Sequence, residues 1–323
     1  MIRIDLPALL VVSPLMAASL TDAAQAYPTK PIRLIVPYAA GGSPDITSRL
    51  VAHELSKQFG QQVVVDNRAG AGGIIGTELI ARASPDGYTL GYIAFGFATN
   101  PTLYKKLPYD TFGDFQFVTT MLLGLNLLGV SPSLPVRSVK ELIEHARANP
   151  DKLTYGSTGA GVTNALAMEM FKHMTNTRIV AVPFKATQQA IGDVAAGRVD
   201  MFCDNMPSIF PHAKAGRVRG IAVTSMKRTP VAPDIPTLDE AGVPGFEMVT
   251  WSGFTFQPRV RRDIVMRMNA EINKALNTAN VQEKFAANGY AAYGGTPEAF
   301  GEFIRKEIDK WARVIKNAGI APQ

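Results

Sequence analysis

The sequence predicts an α/β protein of two lobes, each built on a mainly parallel sheet. Three observations carry this: short β-branched runs alternate with amphipathic segments from residue 32, the alternation restarts after Leu134-Pro135, and two long amphipathic segments close the chain. Strands that alternate with helices pair in parallel and take helices on both faces. The 323 residues suit two ordinary domains, and 46% apolar against 19% charged residues is enough to build a buried core.

In the first lobe Ile32-Arg33-Leu34-Ile35-Val36 reads as a strand, followed by a Gly/Pro loop and a helix that Gly60 terminates. Ser43 is the expected N-cap, with Pro44 at the first helical position and Asp45 in the first turn, where a carboxylate suits the helix dipole. Val63-Val64-Val65 is a second strand, residues 67–73 a Gly-rich loop, 74–83 a helix and 88–94 a third strand.

In the second lobe Ser138 and Glu141 make a capping box for a helix ending near Asn149, and residues 153–156 form a strand that leads into a Gly-rich loop over 156–161 and a further helix. Residues 179–183 and 199–203 are expected strands around a helix over 187–196, and 220–224 is another strand. Thr237 and Glu240 are expected to cap a short helix. The closing helices span about 263–277, stacking Met268, Ile272 and Leu276, and 297–317, with Phe300, Phe303, Ile304, Trp311 and Ile315 on one side. There is no repeat of 20–50 residues and no low-complexity tract.

The N-terminus has the grammar of a secretory signal: Arg3, an apolar stretch over residues 6–20 interrupted by Pro14, and Ala24-Gln25-Ala26 as a cleavage pattern. Residues 1–26 are therefore expected to be removed on export. The stretch is shorter than the ~20 residues that cross a bilayer as a helix. A net charge of +6 without a like-charge run argues against a nucleic-acid-binding arm, and one cysteine, Cys203, permits no internal disulfide.

Three strand-to-helix junctions are rich in small residues: 37–45, 67–73 and 156–164. Each exposes free backbone N–H groups at the positive end of a helix, which suits an anion, although such turns also serve only to make a tight corner. In open α/β sheets ligands lie beyond the carboxyl ends of the strands, where these loops must sit. The four histidines are scattered without metal spacing, no G-x-S-x-G elbow is present, and Gly70-x-Gly72-x-x-x-Gly76 follows the second strand rather than the first, against a dinucleotide site. No cofactor is expected. Asp45 and Asp204 are the two acids singled out, each also readable as a helix or turn cap.

Tyr27-Pro28-x-x-Pro31-Ile32-Arg33-x-Ile35-Val36-Pro37-Tyr38-x-x-Gly41-Gly42-x-x-Asp45 and Val65-Asp66-Asn67-Arg68-x-Gly70-Ala71-x-Gly73 resemble the Bug family, the periplasmic substrate-binding components of tripartite tricarboxylate transporters. Asp86-Gly87-Tyr88-Thr89-Leu90, Asn100-Pro101-x-Leu103-Tyr104, Lys152-Leu153-Thr154-Tyr155-Gly156-Ser157, Val182-Pro183-Phe184-Lys185 and Gly197-x-Val199-Asp200 extend the resemblance over residues 27–318. It implies a type II periplasmic-binding-protein fold: lobe 1 from 27–126 plus 251–323, lobe 2 from 127–250, two crossovers near Asn126 and Thr250, and a ligand cleft between the lobes.

The resemblance also implies a small organic carboxylate held by the first loop, through Tyr38, the amides of Ala40 and Gly42, Ser43 and Asp45. Facing it would be Ser157, Thr158, Gly161, Thr163 and Asn164; Asp204, singled out above, is a further candidate ligand-binding residue. Where Thr163 and Asn164 stand, the family often has a serine and a histidine. Phe95 and Phe97, on the expected loop after the third strand, are larger and more apolar than the small polar residues frequent there; they either line the pocket and favour an aromatic or partly apolar acid, or belong to the lobe core. The expected function is capture of a mono- or dicarboxylate by a monomer that passes it to membrane transporter subunits. A secreted hydrolase using the same cleft and a ligand-loaded partner of a membrane sensor are the rival readings.

Overall fold

A computed structural model of the chain describes residues 27–159 and 161–322. The expected signal segment, 1–26, lies outside the described residues. The first lobe starts with β1 (Ile32–Val36), α1 (Ser43–Phe59), β2 (Val63–Asn67), α2 (Ile74–Ala81), β3 (Thr89–Ala94) and α3 (Gly96–Leu103). The strands pair in parallel in the order β2-β1-β3. Ile32, Leu34, Ile35 and Val36 are all buried, as expected of a strand covered by helices on both faces.

A 15-residue strand, β4 (Gln116–Val130), then carries the chain into α4 (Val139–Ala148), β5 (Thr154–Ser157), α5 (Thr163–Thr175), β6 (Val180–Pro183), α6 (Thr187–Ala195), β7 (Met201–Asn205), α7 (Met206–Lys214) and β8 (Arg219–Val223). β9 (Val249–Phe256) leads back to α8 (Arg262–Leu276), α9 (Ala279–Ala287), β10 (Tyr290–Gly294) and α10 (Pro297–Asn317).

β4 is shared between two sheets. From Gln116 to Leu125 it runs antiparallel to β9, and it also pairs with β10; from Asn126 onward its partners are β7 and β8. The first sheet is thus β2-β1-β3-β9-β4-β10 and the second β6-β5-β7-β4-β8. The return crossing is equally abrupt: Met248 N–H donates to Thr224 O of the second lobe at 2.9 Å, and from Val249 the chain pairs with the first sheet.

α8 buries Val265, Met268, Ile272 and Leu276 in the core that holds Leu34, Leu90 and Phe254. α10 buries Phe300, Ile304, Trp311 and Ile315, packs on α3 and β4 and reaches α5 of the second lobe. Near its end Asn317 Nδ2 lies 3.3 Å from His173 Nε2.

Several expectations are corrected. Ser43 is the first residue of α1 rather than its cap; Gly42 holds the cap position and no side chain caps the helix. Thr237 and Glu240 do bond reciprocally, Glu240 N–H to Thr237 Oγ1 at 3.0 Å and Thr237 N–H to Glu240 Oε2 at 3.1 Å, but they close a turn and no helix follows. The segment after β3 is the helix α3, which carries Pro101 within it, rather than a loop.

Candidate functional site

A cleft of about 530 Å³ opens between the lobes, a size suited to a small-molecule ligand. Five helices begin at its wall: Ser43 and Pro44 of α1, Gly96 of α3 with Phe95 before it, Thr163 and Asn164 of α5 with Val162 before them, Thr187 of α6, and Asn205 directly before α7. Free N–H groups and helix dipoles make such ends favourable to negative charge. Among the described residues that line the cleft none is Lys, Arg or His. Whatever attraction the cleft has for an anion therefore comes from backbone N–H groups rather than from cationic side chains.

The first loop is braced from within. Gly41 adopts φ +80°, a left-handed conformation suited to glycine, and its N–H donates to Asp45 Oδ2 at 2.9 Å. Arg49 Nε donates to Asp45 Oδ1 at 2.8 Å and its Nη2 to Asn67 Oδ1 at 3.0 Å, while Asn67 Nδ2 donates to Tyr38 O at 3.1 Å. Burial opposes ionisation of Asp45, but Arg49, the Gly41 amide and Asn67 outweigh it and hold the carboxyl below its ordinary value. Asp45 shapes the loop and is absent from the cleft lining.

Tyr38 and Ser43 line the cleft, whereas Ala40 and Gly42 lie on the exposed loop outside its lining. On the opposite wall Thr158, Gly161, Thr163, Asn164 and Asp204 all line it. The Asn164 amide is partly committed: Oδ1 accepts from Thr158 N–H at 3.1 Å and Nδ2 donates to Thr158 Oγ1 at 2.7 Å, which ties the loop to the start of α5. Ser157 lies outside that lining, in a neighbouring recess with Tyr155, Glu169 and Phe184 that shares Thr158 and Gly159 with the cleft.

The two phenylalanines divide. Phe95 lines the cleft and stands edge-on to Trp311 at 4.9 Å. Phe97 lies outside the lining, 3% exposed, packed in an aromatic cluster with Tyr109, Phe115 and Phe117. It belongs to the lobe core because α3 turns successive side chains to different faces, a rotation that an expected loop did not foresee.

Sequence reasoning missed much of the rest of the wall. Tyr92, Asn100, Leu103, Tyr104, Leu122, Thr187, Asn205, Thr250, Trp251 and Tyr290 all line it; only a few bear on the chemistry. Tyr290 Oη lies 2.9 Å from Ser43 Oγ, linking β10 to the start of α1 at the cleft wall. Trp251 Nε1 and Trp311 Nε1 both donate to Glu307 Oε2, at 3.1 and 2.9 Å, so one buried carboxylate on α10 fixes the indole behind the cleft. Lys310 pairs with the other oxygen of Glu307.

Three lining atoms are buried with no hydrogen-bond partner in the protein: Asp204 Oδ2, Asn205 Oδ1 and Thr250 Oγ1. Burial pushes Asp204 up to about 6; the Asn205 amide and the Asn164, Ser208 and Thr187 side chains only partly offset it. Burial raises Tyr38 to about 12 and lifts Tyr92 as well. Cys203 is fully buried and burial raises its thiol far above the usual range, the opposite of an activated nucleophile. The described residues include no group of three or more His, Cys, Asp or Glu able to hold a metal ion.

A protein-family model described as "Tripartite tricarboxylate transporter family receptor" matches residues 47–320. The chain belongs to this family. Among curated relatives, a protein of the tcbD-tcbE intergenic region of Pseudomonas sp. strain P51 is 38% identical over 90% of this chain and 87% of its own length. Protein BugT of Bordetella pertussis is 34% identical over 92% and 91%. Among solved structures, Rpa4515 of R. palustris with adipate superposes with a TM-score of 0.81 at 38% identity, over 92% of this chain and 100% of that one. MatC of Rhodopseudomonas palustris with bound malate gives 0.76 at 28% identity, over 90% and 100%. The periplasmic binding protein BugD gives 0.78 at 32%, over 92% and 100%. The chain therefore has the type II periplasmic-binding-protein fold, two lobes joined by crossover strands around a ligand cleft, and is a solute-binding receptor of a periplasmic family.

Proposed function

We propose that the protein captures a small organic carboxylate in the periplasm, without altering it, and presents it to membrane transporter subunits. The carrying observation is the set of five helix N-termini at the wall of a cleft that has no cationic side chain among its described lining residues. Such a site offers a carboxylate preorganised N–H donors while leaving the lobes free to reopen, since no fixed ion pair has to be broken. Ser43, Thr158 and Thr163 supply hydroxyls on facing walls, and Tyr38 marks the inner end of the first loop. Adipate and malate in two structural relatives support this ligand class.

Phe95, Tyr92, Leu103, Leu122 and Trp251 give the cleft a largely apolar body. A ligand with a methylene chain or a ring between its polar ends suits these walls better than a compact hydroxy acid does. The division of the chain into lobe 1 (27–126 and 251–323) and lobe 2 (127–250) is part of this reading, supported by the change of partners along β4. Export after cleavage at Ala26 and action as a monomer complete it.

The test is mass spectrometry of the small molecule that copurifies with the native protein, followed by titration calorimetry against adipate, malate and aromatic acids. Tight binding of an unaltered acid is the expected result. Recovery of a chemically changed compound would instead establish an enzyme.

A further inference from the structure

Asp204 has no place in a plain picture of a positive cleft. It is the penultimate residue of the strand β7, just before α7, is 3% exposed and lines the cleft, and its Oδ2 has no partner in the protein. No Lys, Arg or His among the described lining residues offsets it.

The groups that face it are neutral or acidic. From β10 comes the Tyr290 hydroxyl, itself raised mainly by burial and further by Asp204. On β7 the adjacent Cys203 thiol stays protonated. α5, α6 and α7 contribute Asn164, Thr187 and Ser208, and β4 sets Leu127 opposite in register. Asn164 also carries Thr158, so the donors expected to hold a ligand carboxylate sit beside the Asp204 carboxyl. Two carboxylates sharing a site cannot both stay ionised at low cost where water is excluded; one of them takes a proton.

We propose that Asp204 binds the ligand as a neutral acid, donating a hydrogen bond from its carboxyl to the ligand carboxylate, so that each capture takes up one proton from solvent. This rests on the proposed function and deepens it: the ligand is an acid whose affinity is linked to pH. The balance is simple. Ionised Asp204, one solvent proton and the ligand anion give a complex in which the two carboxyl groups share that proton and no other bond changes. Because burial, partly offset by the neighbouring hydrogen bonds, raises Asp204 only to about 6 before any ligand arrives, this carboxyl is mostly ionised at neutral pH in the free protein and the proton is taken up on binding.

The experiment is titration calorimetry of the purified protein with adipate and with malate, in phosphate and in Tris at pH 7.5, then across pH 5.5 to 8.5. The expected result is a binding enthalpy that differs between the buffers by an amount corresponding to nearly one proton. Affinity should also fall about tenfold per pH unit above the free-state value for Asp204. Asp204→Asn should bind with buffer-independent enthalpy and a flat pH profile. Wild-type binding with equal enthalpy in both buffers would overturn the shared proton while leaving carboxylate capture intact; this arm needs no variant to fold. An unchanged slope in Asp204→Asn would assign the proton elsewhere and also overturn it. Failure of either acid and of an aromatic panel to bind at any pH would overturn the proposed function itself.

Discussion

Gly161 offers a way to separate closure of the cleft from stability of the fold. A Cβ at this position would lie 2.3 Å from Leu103 Cδ1 and 3.7 Å from its Cγ, across the cleft on α3. Carbon atoms in contact sit at ~3.5–4.0 Å, so Gly161→Ala requires Leu103 or the opposing lobe to retreat by about 1.3 Å. Leu103 is 7% exposed and has little room to do so. Overpacking of this kind costs about 1–3 kcal/mol, and the cost falls on the closed arrangement alone, because the two residues belong to opposite walls. The dissociation constant for a bound acid should rise about 5- to 150-fold. Unliganded stability should change little or rise slightly, since Gly→Ala at an ordinary φ removes freedom from the unfolded chain, worth about 0.4–1 kcal/mol. The assay is calorimetry with adipate beside thermal melting without ligand, on Gly161→Ala, Leu103→Ala and the double variant. An unaltered dissociation constant, or a double variant as weak as the sum of the singles, would refute the reasoning.

Three further outcomes follow from the same geometry. A carboxyl raised from 3.8 to about 6 stabilises the fold fully below the unfolded value and loses that contribution as pH rises through the folded one. Asp204→Asn should therefore match wild type near pH 4 and exceed it at pH 7 by up to about 3 kcal/mol, read from melting curves at both pH values. Glu307→Ala leaves two buried indole N–H groups without an acceptor and should cost about 2–6 kcal/mol, whereas Glu307→Gln keeps an acceptor and should lose far less; denaturant titration decides between them. Phe97→Ala should cost about 3–5 kcal/mol as a core truncation while leaving the order of preference among acids unchanged, and a changed ranking in competition binding would return Phe97 to the site.

The alternation of strands and helices was legible because each element carries its own period and punctuation. β1 and α10 form where their patterns place them, and Ser138 caps α4 by accepting from Glu141 N–H at 3.2 Å. The long apolar run that becomes β4 resisted reading: buried by different partners along its length, it has neither a strand's alternation nor a helix's stripe. α3 was hidden by Pro101, which ordinarily argues against a helix interior. In the cleft, Thr158, Gly161 and Thr163 lie on glycine-marked loops and could be named from local signals. Tyr290 and Trp251 reach the wall only through pairing of β10 and β9 with β4, which no local pattern encodes. Asp45 and Phe97 share one lesson: a residue next to a binding loop can be spent on shaping it, and only three-dimensional packing tells the two roles apart.

The joining of both indoles to Glu307 has a practical corollary. The chain contains two tryptophans, and they are the pair held on this one carboxylate, Trp251 lining the cleft. Tryptophan emission, excited at wavelengths the nine tyrosines do not absorb, thus reports on the back of the cleft, an optical gauge of occupancy that needs no attached dye.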